Sequence, residues 1–462
     1  MSKPQGKPKP SPSLSTLPLL HLNAAGIDVG SEFHFVAVPR DRDAQPVRKF
    51  GSFTVDLQEL ANWLQRCGIE TIVLESTGIY WVALFELLEA RGFEVLLVDP
   101  RRLKSVPGRK TDVVDCQWLQ QLHTHGLLSG AFRPTDQVCV LRSYVRQREM
   151  LVQQAAQHIQ HMQKALHQMN VKLDKVVSTL TGVTGMAILR AILEGERNPV
   201  VLAQWRDPRC ENNEETFAKA LQGNWREEHL FALRQAVALY DVYQLRIAEC
   251  DQRIEACLGQ FEDKSGGQAL PQEQATAPKK QQKKRRNQPT FEMREPLRRL
   301  TGVDLTQIDG LQELTVLKVI SEIGADMSRW PTVKHFTSWL SLCPGSKRSG
   351  GKVLSSRTKP SANRAAAALR MAVNGLQRSQ SALGAFFRRM KARLGTPKAI
   401  TATAHKLARL IYFTLKHGWD YIDKGAEWYE RQFRERLVKS LTRRAADLGF
   451  KLVPDTAPGE SS

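Results

Sequence analysis

Ala25-Gly26-Ile27-Asp28-Val29-Gly30 is the stretch on which the reading of this 462-residue chain turns. Its residues are small or β-branched, the composition of a short buried strand. Asp28 stands near the end of that strand, and the Val-Gly-Ser that follows lets backbone come close to a ligand. Outward from it, Phe33-His34-Phe35-Val36-Ala37-Val38 alternates as a partner strand would, and Lys49 to Val55 gives a third strand. Asp56 then caps an amphipathic helix with Leu57, Leu60, Trp63 and Leu64 at helical spacing. Thr71 to Leu74 reads as a buried strand leading into Glu75, Trp81 to Ala90 as a helix, and Phe93 to Val98 as another strand. A helix carrying Asp112 and Asp115 comes next.

Three meandering strands followed by strand–helix alternation is the order of the ribonuclease-H-like fold. In that order Asp28 belongs to the first strand and Glu75 to the fourth. Asp112 and Asp115 lie three apart, so a helix presents both on one face. Crowded carboxylates repel, and a hard divalent cation with oxygen ligands compensates them. Each acid alone is more simply a cap or a solvated charge. The four together, in this order of elements, point to a site for Mg²⁺ or Mn²⁺.

The rest of the chain is strongly basic, with 67 Lys and Arg against 47 Asp and Glu and a formal charge of +20. Such an excess favours a polyanionic partner, nucleic acid or an anionic membrane surface. No run of about 18 apolar residues appears, so a membrane-spanning helix is not expected. The seven cysteines are scattered without any Cys-x-x-Cys spacing, which fits a reduced cytosolic setting and no zinc or disulfide framework. Met1 to Thr16 is rich in Pro, Ser and Lys and lacks the pattern of a secretory signal, so it reads as a disordered tail.

Val138 to Leu173 and Glu227 to Gln260 read as two long amphipathic helices, with a shorter helical segment at Gly182 to Gly195 between them. That arrangement is expected to form an antiparallel coiled-coil arm for assembly or partner binding. Ser265 to Pro289 reads as a flexible linker, and Lys279 to Arg286 within it is suited to nonspecific phosphate contact. From Pro296 the chain is helical again, and Thr306 to Gly324 resembles a helix-hairpin-helix phosphate grip. Helices are expected at Ala362 to Gln377, Ala382 to Leu394 and Pro397 to Gly418. The expected division is a tail at 1–22, an α/β domain at 23–134 and the helical arm at 135–264. The linker at 265–290, a mostly helical domain at 291–425 and a final helix and tail at 426–462 complete it.

Ser346-Lys347-Arg348-Ser349-Gly350-Gly351-Lys352 sets two serines in a glycine-rich basic loop. A serine there has room to approach a phosphodiester, and the cations suit a pentavalent transition state. Loops of this composition are also commonly structural. Lys110, Lys347, Arg348, Lys352, Lys359, Asn363, Arg364 and Arg370 are candidate nucleic-acid contacts, a solvated basic face being the equal alternative. The pairs His123/His125 and His158/His161 read as surface residues, and Trp205, Trp225, Trp330 and Trp339 as core.

Taken together, the motifs resemble the DEDD transposases of bacterial insertion sequences, the IS-one-ten family and within it the IS-eleven-eleven branch, described as bridge-RNA-guided recombinases. The resemblance rests on Gly26-Ile27-Asp28-Val29-Gly30, Leu74-Glu75-Ser76-Thr77-Gly78, Lys110-Thr111-Asp112-Val113-Val114-Asp115 and Thr181-Gly182-Val183-Thr184-Gly185. It continues through Ile308-Asp309-Gly310-Leu311, Glu322-Ile323-Gly324 and Ser349-Gly350-Gly351-Lys352. Where the family usually has Lys-x-Gly-Asn, this chain reads Lys359-Pro360-Ser361-Ala362-Asn363. The resemblance implies a RuvC-like metal site of Asp28, Glu75, Asp112 and Asp115, and Ser349 as the nucleophile of a separate C-terminal transposase domain. It also implies a guide (bridge) RNA, donor and target DNA, and a homo-oligomer, dimer or tetramer, whose subunits bring both sites to one phosphate. The setting it implies is the nucleoid of the bacterial cytoplasm. Two other readings stay open: a metal-only nuclease resembling RuvC junction resolvases, and a non-enzymatic architectural nucleic-acid-binding protein.

Overall fold

A computed structural model describes residues 17–75, 78–99, 112–266, 287–418 and 424–453, and the chain divides into two compact units, Met1–Arg133 and Pro134–Ser462. The first unit is built on a five-stranded mixed sheet. Its strands are β1 (Ala24–Val29), β2 (Phe33–Ala37), β3 (Val47–Gly51), β4 (Thr71–Glu75) and β5 (Glu94–Val98), in the order β3-β2-β1-β4-β5. β2 pairs antiparallel with both β1 and β3, whereas β1, β4 and β5 run parallel. The expected meander followed by strand–helix alternation is therefore what the chain forms.

Side chains alternate across this sheet, so each strand feeds two layers. Ile27, Ile72 and Leu74 enter a core with Leu60 and Leu64 of α1 (Thr54–Arg66) and Leu84 and Leu88 of α2 (Trp81–Ala90). On the opposite face Val73 and Val98 pack with Leu119 of α3 (Asp112–Thr124). Helix α1 starts two residues before the expected cap. Asp56 sits in its first turn, where the carboxylate accepts a hydrogen bond from the Phe53 N–H at 3.1 Å.

The second unit is mostly helical. Its frame is an antiparallel pair, α4 (Asp136–Gln168) and α6 (Glu227–Gly259). The pairing direction is fixed by Gln137, which donates to the Gln260 carbonyl at 3.1 Å, and by the rings of His158 and Tyr243, stacked 5.2 Å apart. Between those two points Arg148 and Asp251 form a buried ion pair, and Arg148 also donates to the Asn287 carbonyl at 3.0 Å. At the other end Met162, Leu166 and Leu233 pack with Ile188 of α5 (Val183–Leu193) and Phe217.

The chain then continues through α7 (Arg294–Thr301), α8 (Glu313–Ile323) and α9 (Val333–Trp339). A short hairpin of β6 (Lys347–Ser349) and β7 (Lys352–Ser355) follows, then α10 (Arg364–Val373), α11 (Ala382–Leu394), α12 (Thr396–His417) and α13 (Gly425–Asp447). Charge docks α8 onto α4: Arg146 makes two bonds to the Glu322 carboxylate, at 2.8 and 2.7 Å, and Arg142 donates to the Ser321 and Glu322 carbonyls. Glu149 is held between Lys318 at 2.6 Å and Arg364 at 3.3 Å, which ties the start of α10 to the same helix. Among the described residues no helix is long and apolar enough to cross a membrane.

Several side chains depart from the sequence reading. His123 is buried rather than exposed, because it shares the inward stripe of α3 with Cys116 and Leu119. Trp205 is 55% exposed, so it is not a core residue, whereas Trp330 is buried against Phe336 and Trp339.

Candidate active site

The parallel register pairs Ile27 of β1 with Leu74 of β4. Asp28 and Glu75 each follow that pair by one residue, so they leave the sheet on the face opposite the α1/α2 core. Gly26 shares their face. A Cβ at Gly26 would lie 2.3 Å from the Gln120 nitrogen and 2.4 Å from the Cys116 carbonyl oxygen, so α3 rests directly on that glycine. This close seat brings the first turn of α3, with Asp115, toward Asp28. The buried Cys116 thiol registers the result: its pKa is pushed up to about 12, first by burial and then by the negative charges of Asp28 and Asp115.

Asp28, Glu75 and Asp115 are all half-buried and offer oxygen donors only, the set that a hard cation takes. Asp112 opens α3 three residues before Asp115; its side chain and the whole of Lys110 lie outside the described residues. Among the described residues no three acidic, histidine or cysteine side chains stand close enough together to hold a metal ion. What the fold provides is a shared face at the ends of two central strands, with acids on both strands and on the helix above them.

Ser349 is the last residue of β6 and pairs with Lys352, the first of β7. Only Gly350 and Gly351 separate them, at φ +54° and +76°. Two consecutive residues at positive φ make the kind of tight turn that favours glycine at both positions. The stretch read as a loop is thus a hairpin, with the serine fixed just before its tip. Ser346, Arg348, Ser349 and Lys352 are exposed, and the hairpin is tied at its base by the Gly345 N–H donating to the Arg357 carbonyl at 2.8 Å.

The candidate nucleic-acid contacts separate into groups. Arg348, Lys352 and Lys359 are exposed cations on or near the hairpin. Asn363 has a structural task, since its side-chain oxygen accepts from the Ala366 N–H at 2.9 Å and caps α10. Arg364 is committed in part to Glu149. The Lys347 side chain and the basic run Lys279 to Arg286 lie outside the described residues.

Comparison with known families bears directly on both regions. A family model named DEDD_Tnp_IS110, described as a transposase, matches residues 25–171. A second, described as the transposase IS116/IS110/IS902 family, matches residues 304–388. The chain belongs to the IS110 (IS-one-ten) family of transposases. No curated protein matches it. In this IS110-family transposase the first match spans the sheet and all four acids, and the second spans Ser349, its hairpin and α10. Membership makes the protein an enzyme that cleaves and rejoins DNA, with DNA as its substrate. Residues 172–303 and 389–462 of the transposase lie outside both matches.

Proposed function

We propose that this IS110-family transposase recombines DNA under the direction of a bridge RNA, through a covalent link between Ser349 and the cut strand. On this reading the N-terminal unit is ribonuclease-H-like, of the RuvC type, and Asp28, Glu75, Asp112 and Asp115 hold Mg²⁺. The observation that carries the reading is the exposed Ser349 hydroxyl, fixed beside a Gly-Gly turn and flanked by Arg348 and Lys352.

The Ser349 oxygen attacks the scissile phosphorus, forming the Oγ–P bond as the P–O3′ bond breaks. The proton lost by the serine leaves with the departing oxygen as a 3′ hydroxyl, directly or through solvent. A 3′ hydroxyl from the exchanged strand then attacks the phosphoserine and releases Ser349. One ester is replaced by another in each step, so joining needs no outside energy source. Arg348 and Lys352 offset charge on the phosphate oxygens as it builds. Asp28, Glu75, Asp112 and Asp115 would hold the Mg²⁺, which when bound would supply Lewis acidity toward phosphate oxygens. The reading further takes the two halves from different subunits of an oligomer, while base pairing to the RNA selects the sequence.

The test is a denaturing gel of labelled DNA with the purified transposase. Wild type is expected to form a protein–DNA adduct that survives denaturation, and Ser349→Ala to bind DNA without forming one. An adduct in Ser349→Ala, or hydrolysed ends from wild type with no adduct, rejects the serine chemistry. Sequencing of RNA that copurifies with the protein tests the guide.

A further inference from the structure

The second family match ends within α11, and that helix packs with α12 and with α13 around Tyr429 of α13. Each helix brings cations to that junction: Arg389 and Arg393 from α11, Lys406 and Arg409 from α12, Arg436 from α13. The spacing explains the convergence, since residues three, four or seven apart share a helix face. Lys406 places its ammonium 4.5 Å from the Phe386 ring centre and 5.2 Å from that of Tyr429. Arg389 lies 3.3 Å over Phe433 and 5.9 Å from Tyr429. Cation–π contact accounts for how the stems are held.

It does not account for the balance of charge. Among the described residues the acid that meets this group is Glu430, paired with Arg389. Lys406 is held below the ordinary lysine range by burial and by the charges of Arg436 and Arg409. Five cations facing one carboxylate repel one another, as crowded acids do, and a polyanion relieves that repulsion. The outer cations Arg393, Arg409 and Arg436 are exposed and accessible.

We propose that this ridge on α11, α12 and α13 is a phosphate-backbone binding site for nucleic acid, with Lys406 at its centre and Arg393, Arg409 and Arg436 as its outer contacts. The assignment rests on the reading of this chain as a nucleic-acid enzyme. It is independent of the Ser349 chemistry. The site recognises phosphates, which either the DNA substrate or an RNA supplies.

The experiment uses the full-length protein carrying Arg393→Gln, Arg409→Gln and Arg436→Gln together. Binding to a DNA duplex and to an RNA hairpin of matched length is measured across a salt series by fluorescence anisotropy. Each lost phosphate contact on duplex lowers the log–log salt slope by about 0.9, so the triple variant is expected to lose about 2 to 3. A fall with only one probe supports the site and names its source; a fall with both supports a shared backbone site. A control with Arg431→Gln, Arg434→Gln and Arg444→Gln, elsewhere on α13, removes the same charge. Equal losses in test and control, or unchanged slopes with both probes, overturn the proposal. Lys406→Met keeps an apolar stem over the rings and guards against misfolding of the triple variant: its slope is expected to fall by about 1. Ser349→Ala, run alongside, is expected to keep the full slope, so failure of the serine reading and failure of the ridge give different results.

Discussion

Asp28 and Glu75 stand side by side, each one residue past the paired Ile27 and Leu74 on adjacent parallel strands. Their shared face is the one on which Gly26 admits the backbone of α3. The approach is too close for any side chain at residue 26, because the atoms in the way are backbone rather than flexible tips. Gly26→Ala is therefore expected to push α3 outward, at a cost of about 1 to 3 kcal/mol. The melting temperature should fall and strand transfer should fall further, since Asp115 moves with the helix. Thermal melts and a strand-transfer assay check both, and an unaltered variant contradicts this seating.

Removing one carboxylate should separate stability from chemistry. Asp28→Asn and Glu75→Gln keep the size of the side chain and remove only its charge, so the metal-free variants are expected to stay folded. Loss of a cation site removes several kcal/mol of transition-state stabilisation, so strand transfer should drop on the order of a hundredfold or more. Mg²⁺ that binds only the folded state raises the melting point by mass action. Wild type is thus expected to gain stability with Mg²⁺ and lose the gain in EDTA, and the variants to gain little. An equal Mg²⁺ shift in wild type and both variants places the ion elsewhere.

The parts of the fold that were legible in the sequence are those with a local period. Ile27, Ile72 and Leu74 alternate into one core, and Leu57, Leu60 and Leu64 recur at helical spacing, so the sheet order and its helices could be read directly. The hairpin could not, because β6 and β7 are only three and four residues long and their described side chains are mostly exposed. Gly350-Gly351 was its one signal, and it also fits a loop. His123 is not legible as buried because its polarity outweighs its spacing of seven from Cys116 and four from Leu119, the stripe it shares. The Arg146–Glu322 pair joins residues far apart in the chain, and nothing local in either stretch announces the other. Among the acids, the order of elements located Asp28 and Glu75; the role of Gly26 in seating α3 above them emerged only from the packing.

The hairpin tip gives a sharper test of geometry. Gly350 and Gly351 have open space where a Cβ would stand, so substitution there brings strain without collision. Left-handed backbone costs a residue with a Cβ about 1 kcal/mol or more at each position. Because the hairpin is exposed and carries no core, Gly350→Ala/Gly351→Ala is expected to leave the melting temperature nearly unchanged. Adduct formation at Ser349 should nevertheless fall, since the turn aims that residue. Melts paired with denaturing gels read the two effects separately, and a full adduct yield in the double variant removes the turn from the mechanism.

His123 supplies a pH dependence whose sign can be worked out. Its Nε2 lies 2.8 Å from the Thr71 hydroxyl, and its ring stacks on His21 at 4.9 Å. Burial, with a smaller contribution from the charge of His21, pushes its pKa down to about 4 from the ordinary 6.5. The unfolded chain therefore takes a proton near pH 6.5 that the folded chain refuses until about pH 4. Its contribution to stability is complete above that window and is lost as pH falls through it. Each pH unit inside the window is worth about 1.4 kcal/mol, so between about pH 7 and pH 5.5 wild type should lose roughly 1 kcal/mol through this residue. His34 and His405 are also held down by burial, so some slope is expected to remain without His123. His123→Gln should flatten the curve by about that 1 kcal/mol in denaturant titrations at the two pH values. A variant with the wild-type slope shows that His123 is not what makes the fold acid-sensitive.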